Sequence, residues 1–225
     1  MSFNRKCAWL VVAVVVTLVL SAGVASAQIR GGTKEGYFLF EYLGSTTEPW
    51  SKHPDVSLKV DPTWYWGFGG GFNPSEKFGW DFDLLFANSY IEATGAGATP
   101  GSTVTLTQGA TWFNGRLNGF YYPVEGRFTP LLTAGIGWAN TVTKVPGAPP
   151  IYSCLPSYYY WWCGYSYPSM SETGFSYNGG VGFRYDPPNS QFFLKLVYSF
   201  EWVQTSVTKG TPMRSGAYVT LGSKF

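Results

Sequence analysis

The stretch Phe192-Phe193-Leu194-Lys195-Leu196-Val197-Tyr198-Ser199-Phe200-Glu201-Trp202 alternates along its whole length. Phe192, Leu194, Leu196, Tyr198, Phe200 and Trp202 occupy one set of positions. Phe193, Lys195, Val197, Ser199 and Glu201 occupy the other. Successive side chains of a strand point to opposite faces, so a period of two predicts a strand with one wholly apolar face and one charged face. A helical period would mix the two sets. The length also suits the roughly 9–11 residues that a tilted strand needs to cross a bilayer.

The same pattern recurs outward from this segment. In 78–87, Trp80, Phe82, Leu84 and Phe86 oppose Gly79, Asp81, Asp83 and Leu85. In 174–186, Phe175, Tyr177, Val181, Phe183 and Tyr185 oppose Ser176, Asn178, Gly180, Gly182 and Arg184. Less cleanly, it extends to 36–43, 64–73, 110–122, 128–140 and 213–225, which makes eight predicted strands. Tight, turn-rich links fall at Asn73–Lys77, Pro123–Arg127 and Pro187–Ser190. The other four connections, 44–63, 88–109, 141–173 and 204–212, are longer. An even strand count with short turns at one end and long loops at the other predicts an all-β, eight-stranded antiparallel up-and-down transmembrane barrel.

Composition agrees. With 19% aromatic and 12% charged residues in 225, the chain is the opposite of a disordered one. Its glycines come in pairs and triplets rather than every third residue, which excludes a collagen. After residue 27 no apolar run approaches the 18 residues of a helical span.

Residues 1–27 read as a cleavable signal peptide. Arg5 and Lys6 precede the apolar run Trp9–Leu20, and Ala25-Ser26-Ala27 offers small residues before a cut ahead of Gln28. The mature domain is then 28–225. Losing Arg5 and Lys6 from 15 basic residues leaves 13, equal to the 13 acidic ones. No basic patch argues for nucleic acid. Cys7 leaves with the peptide, and Cys154 and Cys163 remain as an even pair in an exported protein, for which a disulfide is the default.

A soluble eight-stranded barrel also alternates, but with its apolar face inside. The apolar face here carries too many rings for an interior that its own side chains just fill. The opposite face is rich in Gly (67, 69, 71, 135, 137, 180, 182, 216 and 222), which belongs where space is short. The apolar face holds no charge in any predicted strand, as lipid requires. Tyr42, Trp64, Trp138, Tyr185 and Trp202, near strand ends, suit the interfacial girdles.

With those features in place, Pro130–Asn140 (PLLTAGIGWAN) resembles the fifth strand of small outer-membrane β-barrel domains of the OmpA type, and Gly216–Phe225 (GAYVTLGSKF) resembles their last strand. The resemblance implies an outer-membrane location in a Gram-negative-type envelope after Sec export, both termini facing the periplasm, and contact with outer-membrane lipid and lipopolysaccharide. It also implies insertion by the barrel-assembly machinery, with Phe225 as its signal. No peptidoglycan-binding domain follows the barrel, so wall tethering is not carried over.

Candidate sites are few. The inward register collects Glu41, Asp81, Asp83 and Glu201 with Arg116, Arg184, Lys195, Arg214 and Lys224, and suggests Asp83–Arg116 and Glu201–Arg214 as pairs. This network reads either as an electrostatic plug or as a narrow, gated ion or solute path. The segment Cys154–Cys163 encloses five consecutive aromatic residues, Tyr158, Tyr159, Tyr160, Trp161 and Trp162. They read as a recognition patch for a glycan, a lipid headgroup or a protein, or as rings that pack on the barrel rim. Two cysteines and the one histidine, His53, fall short of a zinc site, and no cofactor is expected. His53 beside Asp55 is a weak hint of a lipid A-modifying enzyme, without the local pattern such a base would have. The expected function is therefore non-enzymatic: a stable, porin-like barrel that presents long loops for structural or surface-interaction roles. A small-solute channel is the alternative.

Overall fold

A computed structural model describes residues 30–51, 55–96, 102–144, 151–156, 161–166, 169–206, 208 and 210–225, with backbone alone for residues 144, 151–156, 161–166, 169 and 170. The predicted signal peptide and the cut before Gln28 lie outside the described residues, as does His53.

Among the described residues twelve strands follow one another: β1 (Thr33–Leu43), β2 (Thr46–Pro49), β3 (Ser57–Val60), β4 (Thr63–Asn73), β5 (Phe78–Ala96), β6 (Thr103–Tyr121), β7 (Phe128–Lys144), β8 (Ile151–Pro156), β9 (Trp161–Ser166), β10 (Ser169–Tyr185), β11 (Phe192–Gln204) and β12 (Met213–Lys224). Eight of them close a ring in the order β1-β4-β5-β6-β7-β10-β11-β12 and back to β1. Every pairing is antiparallel. First and last strands meet from Glu35 opposite Lys224 to Leu43 opposite Gly216. This is the eight-stranded up-and-down barrel expected from the alternation. Closure leaves no unpaired edge, the condition for β-structure in lipid.

The apolar face points out. Along β11, Phe192 and Leu196 are 62% and 51% exposed, whereas Phe193 and Lys195 are 1% and 2% exposed. Ten residue-to-residue steps separate Phe192 from Trp202. At about 3.3 Å per residue and the usual tilt, they span about 25 Å, the height of a lipid-facing band. Aromatic pairs gather at both margins. Tyr42–Trp64 and Tyr177–Trp202 lie toward the long connections, with ring centroids 5.0 and 5.4 Å apart. Phe78–Tyr121 and Phe128–Phe183 lie at the short turns, at 5.2 and 5.1 Å.

The inward glycines make room for the interior. A Cβ on Gly69 would sit 2.6 Å from the Tyr37 ring and 2.7 Å from Asp83 Oδ1. On the lipid face, the Trp138 ring lies over its register partner Gly115, where a Cβ would collide with the indole.

The connections differ from expectation. Residues 88–96 and 103–109 are not loop but continue β5 and β6 beyond the aromatic margin, paired from Asn88–Thr111 to Ala96–Thr103. β7 likewise runs on to Lys144 opposite Ser169 at the start of β10. β3 adds to the β5 extension, and β2 to β3. Above the bilayer neither face must be apolar, so period-two patterning fades there while backbone pairing continues. The Ser51 hydroxyl donates to the Ser206 carbonyl at 2.6 Å, and Glu172 accepts from the Ser206 amide at 2.9 Å. Three connections are thereby joined into one β-structured crown. Within it, hydrogen bonds to Asp61 and Glu92, each at 2.9 Å, raise the pKa of the exposed Lys59.

Candidate functional site

Among the described residues the interior brings twelve buried charged side chains together. Arg30, Arg116, Arg184, Lys195, Arg214 and Lys224 stand against Glu35, Glu41, Asp81, Asp83, Asp186 and Glu201. Among the described residues the buried cations and carboxylates are thus equal in number. Isolated charges there would be very costly, so partners decide whether the interior is stable.

At the turn end, Asp186 sits just past β10 and is the hub. Arg184 grips it with two bonds of 2.8 and 3.0 Å, Lys224 reaches it at 3.0 Å, and Arg30 at 3.4 Å. Burial works to raise the Asp186 pKa, but the Arg184 and Lys224 bonds outweigh it and hold the carboxyl below its usual range. Burial also lowers the Arg30 pKa against the pull of Asp186. Arg30 further donates to Gly126 O at 2.8 Å and Thr129 Oγ1 at 2.7 Å, which ties the chain ahead of β1 to the turn before β7.

From this hub the contacts run up the interior. Arg184 bonds Glu35 at 2.6 Å, Lys195 lies 3.3 Å from both Glu35 and Asp81, and Asn118 bridges Asp81 and Asp83 at 2.9 and 2.8 Å. Tyr37 donates to Asp83 at 2.7 Å. Arg116 approaches Asp83 to 3.6 Å and bonds both oxygens of Glu41 at 2.8 and 3.1 Å, and Ser199 closes the series on Glu41 at 3.1 Å. These pairs cross the lumen. In ring order β5 and β11, which carry Asp81 and Lys195, are diametrically opposite. β1 and β6, which carry Glu41 and Arg116, are three strands apart. Rings complete the filling: Lys195 lies 4.3 Å from the Phe120 centroid and Arg184 lies 4.5 Å from that of Phe193, distances at which cation–π attraction operates.

Toward the crown the pairing loosens. Glu201 and Arg214 are register partners on β11 and β12, yet no ion pair joins them among the described residues. Arg214 turns instead to the Gly44 carbonyl at 3.1 Å and the Tyr65 hydroxyl at 3.2 Å. Glu201 Oε1, Asn114 Oδ1, Arg214 Nη2 and two nitrogens of Arg116 are buried without a hydrogen-bond partner.

All nine expected lumen residues, Glu41, Asp81, Asp83, Arg116, Arg184, Lys195, Glu201, Arg214 and Lys224, are buried here. Arg30 and Glu35 were missed because they precede the first predicted segment, and Asp186 because it ends the segment 174–186, on the same face as Arg184. Continuing the alternation back from Tyr37 would have placed Glu35 inside. The aromatic patch is not assembled in the described residues. Tyr158–Tyr160 lie outside them, and Trp161 and Trp162 are known only as backbone of β9. Cys154 is the register partner of Cys163 in the β8–β9 hairpin, a backbone separation compatible with a bridge, but the side chains are not described. Phe225 is exposed on the outer wall, its backbone paired with Lys34 by two bonds of 3.0 Å.

Compared with known proteins, residues 12–225 match the model of the outer membrane protein beta-barrel domain. The fold is similar to that of the outer membrane protein OprG from Pseudomonas aeruginosa, with a TM-score of 0.51 and 13% identity over 87% of this chain and 97% of that one. Ail, the attachment invasion locus protein of Yersinia pestis in complex with the heparin analogue sucrose octasulfate, aligns at a TM-score of 0.48 and 11% identity over 85% and 99% of the two chains. Neisserial surface protein A aligns at 0.42 and 14% over 84% and 97%. At 13% identity the likeness to OprG is one of fold alone. Among curated protein sequences nothing matches the chain.

Proposed function

The chain belongs to the outer membrane protein beta-barrel domain family, and from that premise we propose that it is a non-enzymatic barrel with a closed lumen. It holds a β-structured crown outside the cell in a structural or surface-interaction role. The observation that carries this reading is the series of contacts from Arg30 through Asp186, Arg184, Glu35, Lys195, Asp81, Asn118, Asp83 and Arg116 to Glu41. An ion entering from either end would have to displace pairs that span the barrel from wall to wall. Across all twelve buried charged groups six cations offset six carboxylates, so the lumen carries no net charge to draw one sign of ion inward.

The family's location is the bacterial outer membrane. Residues 1–27 supply Sec export, the Phe225 strand supplies the assembly signal, and the wall contacts phospholipid and lipopolysaccharide. A Cys154–Cys163 bridge holds the β8–β9 hairpin, which offers Tyr158–Trp162 to a surface glycan or protein.

A narrow channel is the second reading, favoured by the unpartnered polar atoms around Arg116, Glu201 and Arg214. Refolded protein in planar lipid bilayers distinguishes the two. The closed reading predicts insertion without steady current. Sustained nanosiemens-scale conductance would establish the channel instead.

A further inference from the structure

Two glycines of the outer wall lack the reason that explains most of the others. Inward glycines are required by crowding, and on the lipid face Trp138 covers Gly115 and Trp80 covers Gly119. Gly36 and Gly70 are register partners on β1 and β4 and face outward. A Cβ on Gly36 would meet only the Phe225 ring, at 3.6 Å, and one on Gly70 only the Glu35 carbonyl oxygen, at 3.3 Å. Gly36 is therefore open, and at Gly70 a side chain would press on that one backbone oxygen alone. Gly179, on another part of the wall, is similarly open, but the outward residues flanking it on β10 are Tyr177 and Val181 rather than a lysine.

Beside Gly70 the wall carries a shallow groove of about 460 Å³, lined by Gly70, Phe72, Phe82, Leu117, Phe225 and Lys34. Glu35 and Asp81 also border it, but both are buried and their carboxylates meet Lys195 in the lumen. Gly36 adjoins the groove through the Phe225 ring. The groove lies near the short-turn end, which in such barrels faces the periplasm. Lys34 is the outward residue two positions below Gly36 on β1, placing its ammonium about 5 Å nearer the membrane surface. Among the described residues it makes no ion pair. The Phe225 main-chain oxygen accepts from the Lys34 amide at 3.0 Å and not from its ammonium.

An apolar groove in the acyl region with one unpaired cation at headgroup level matches one kind of occupant. We propose that this groove binds an anionic glycerophospholipid of the periplasmic leaflet. One acyl chain lies over Gly36 and Gly70 between the Phe72, Phe82 and Phe225 rings, and the headgroup phosphate meets Lys34. Charge complementarity selects the headgroup, and the missing side chains admit the chain. The occupied groove then presents a smooth wall beside the β1–β12 seam, where the barrel closes.

Native mass spectrometry of the folded barrel, in micelles holding equal amounts of dioleoyl phosphatidylglycerol and dioleoyl phosphatidylcholine, tests this. The wild type is expected to retain one phosphatidylglycerol with about fivefold preference, the worth of one lysine at an anionic headgroup. Lys34→Gln should abolish the preference, while Lys77→Gln, a lysine of the adjacent turn, should keep it. Gly36→Leu and Gly70→Leu, made separately so that one folding defect does not end the test, should reduce retention of both lipids. Equal retention by the wild type, a preference that survives Lys34→Gln, or wild-type retention by both glycine variants would overturn the site.

Discussion

Replacing Arg116 with methionine should destabilise the folded barrel by about 3–5 kcal/mol, the usual cost of leaving a buried charge without its partner. Arg116 is the cation that meets both oxygens of Glu41 and approaches Asp83. Without it, Glu41 keeps, among the described residues, only the Ser199 hydroxyl at 3.1 Å. Glu201, which already makes no ion pair among the described residues, loses the nearby positive field as well. Adding Glu41→Gln to the same chain should restore much of the loss, since a neutral, well-packed pair need not be worse than an ionic one. Reversible urea unfolding in phospholipid bilayers, followed by tryptophan fluorescence, measures each corner of the cycle. Additive losses in the double variant would show that the two groups do not act as a pair.

A charge on the outer wall should be comparably expensive for a different reason. Leu196 lies near the middle of the lipid-facing run of β11 and is half exposed to what surrounds the barrel. Leu196→Arg places a guanidinium near the bilayer midplane, with an expected cost of about 2–4 kcal/mol. The same substitution at Phe192 or Trp202, at the margins, should cost about 0–1 kcal/mol for the charge itself. The same unfolding measurement applies. A position-independent penalty would mean that the wall is not in lipid.

Both predictions rest on features unevenly legible in the sequence. Within the bilayer the two sides of each strand meet opposite environments, so Phe192 to Trp202 had to alternate, and the strand, its face and its length could all be read. Above the aromatic margin that constraint ends. Residues such as Thr94, Thr105 and Thr107 can face water on either side, and the extensions of β5 and β6 resembled loop although their backbones pair throughout. The site shows the same limit. Lys195 and Glu201 announce themselves by interrupting an apolar run, whereas Arg30, Glu35 and Asp186 lie where the runs stop. Their roles come from the ring closure that brings the end of β10 beside the start of β1 across the lumen. Pairing was legible only between neighbours, as for Asp83 and Arg116. For Glu201 and Arg214 adjacency misled, because the Arg214 side chain reaches the Gly44 carbonyl and the Tyr65 hydroxyl.

The central claim is that this chain wears its aromatic face outside and its charges inside. Spin labels placed singly at each position from 192 to 202, in barrels reconstituted in phospholipid bilayers, test it most directly through collision with dissolved oxygen, which concentrates in lipid. The account predicts a period of two, with high accessibility at 192, 194, 196, 198, 200 and 202 and low accessibility at the positions between. The opposite phase, or no oscillation, would contradict it.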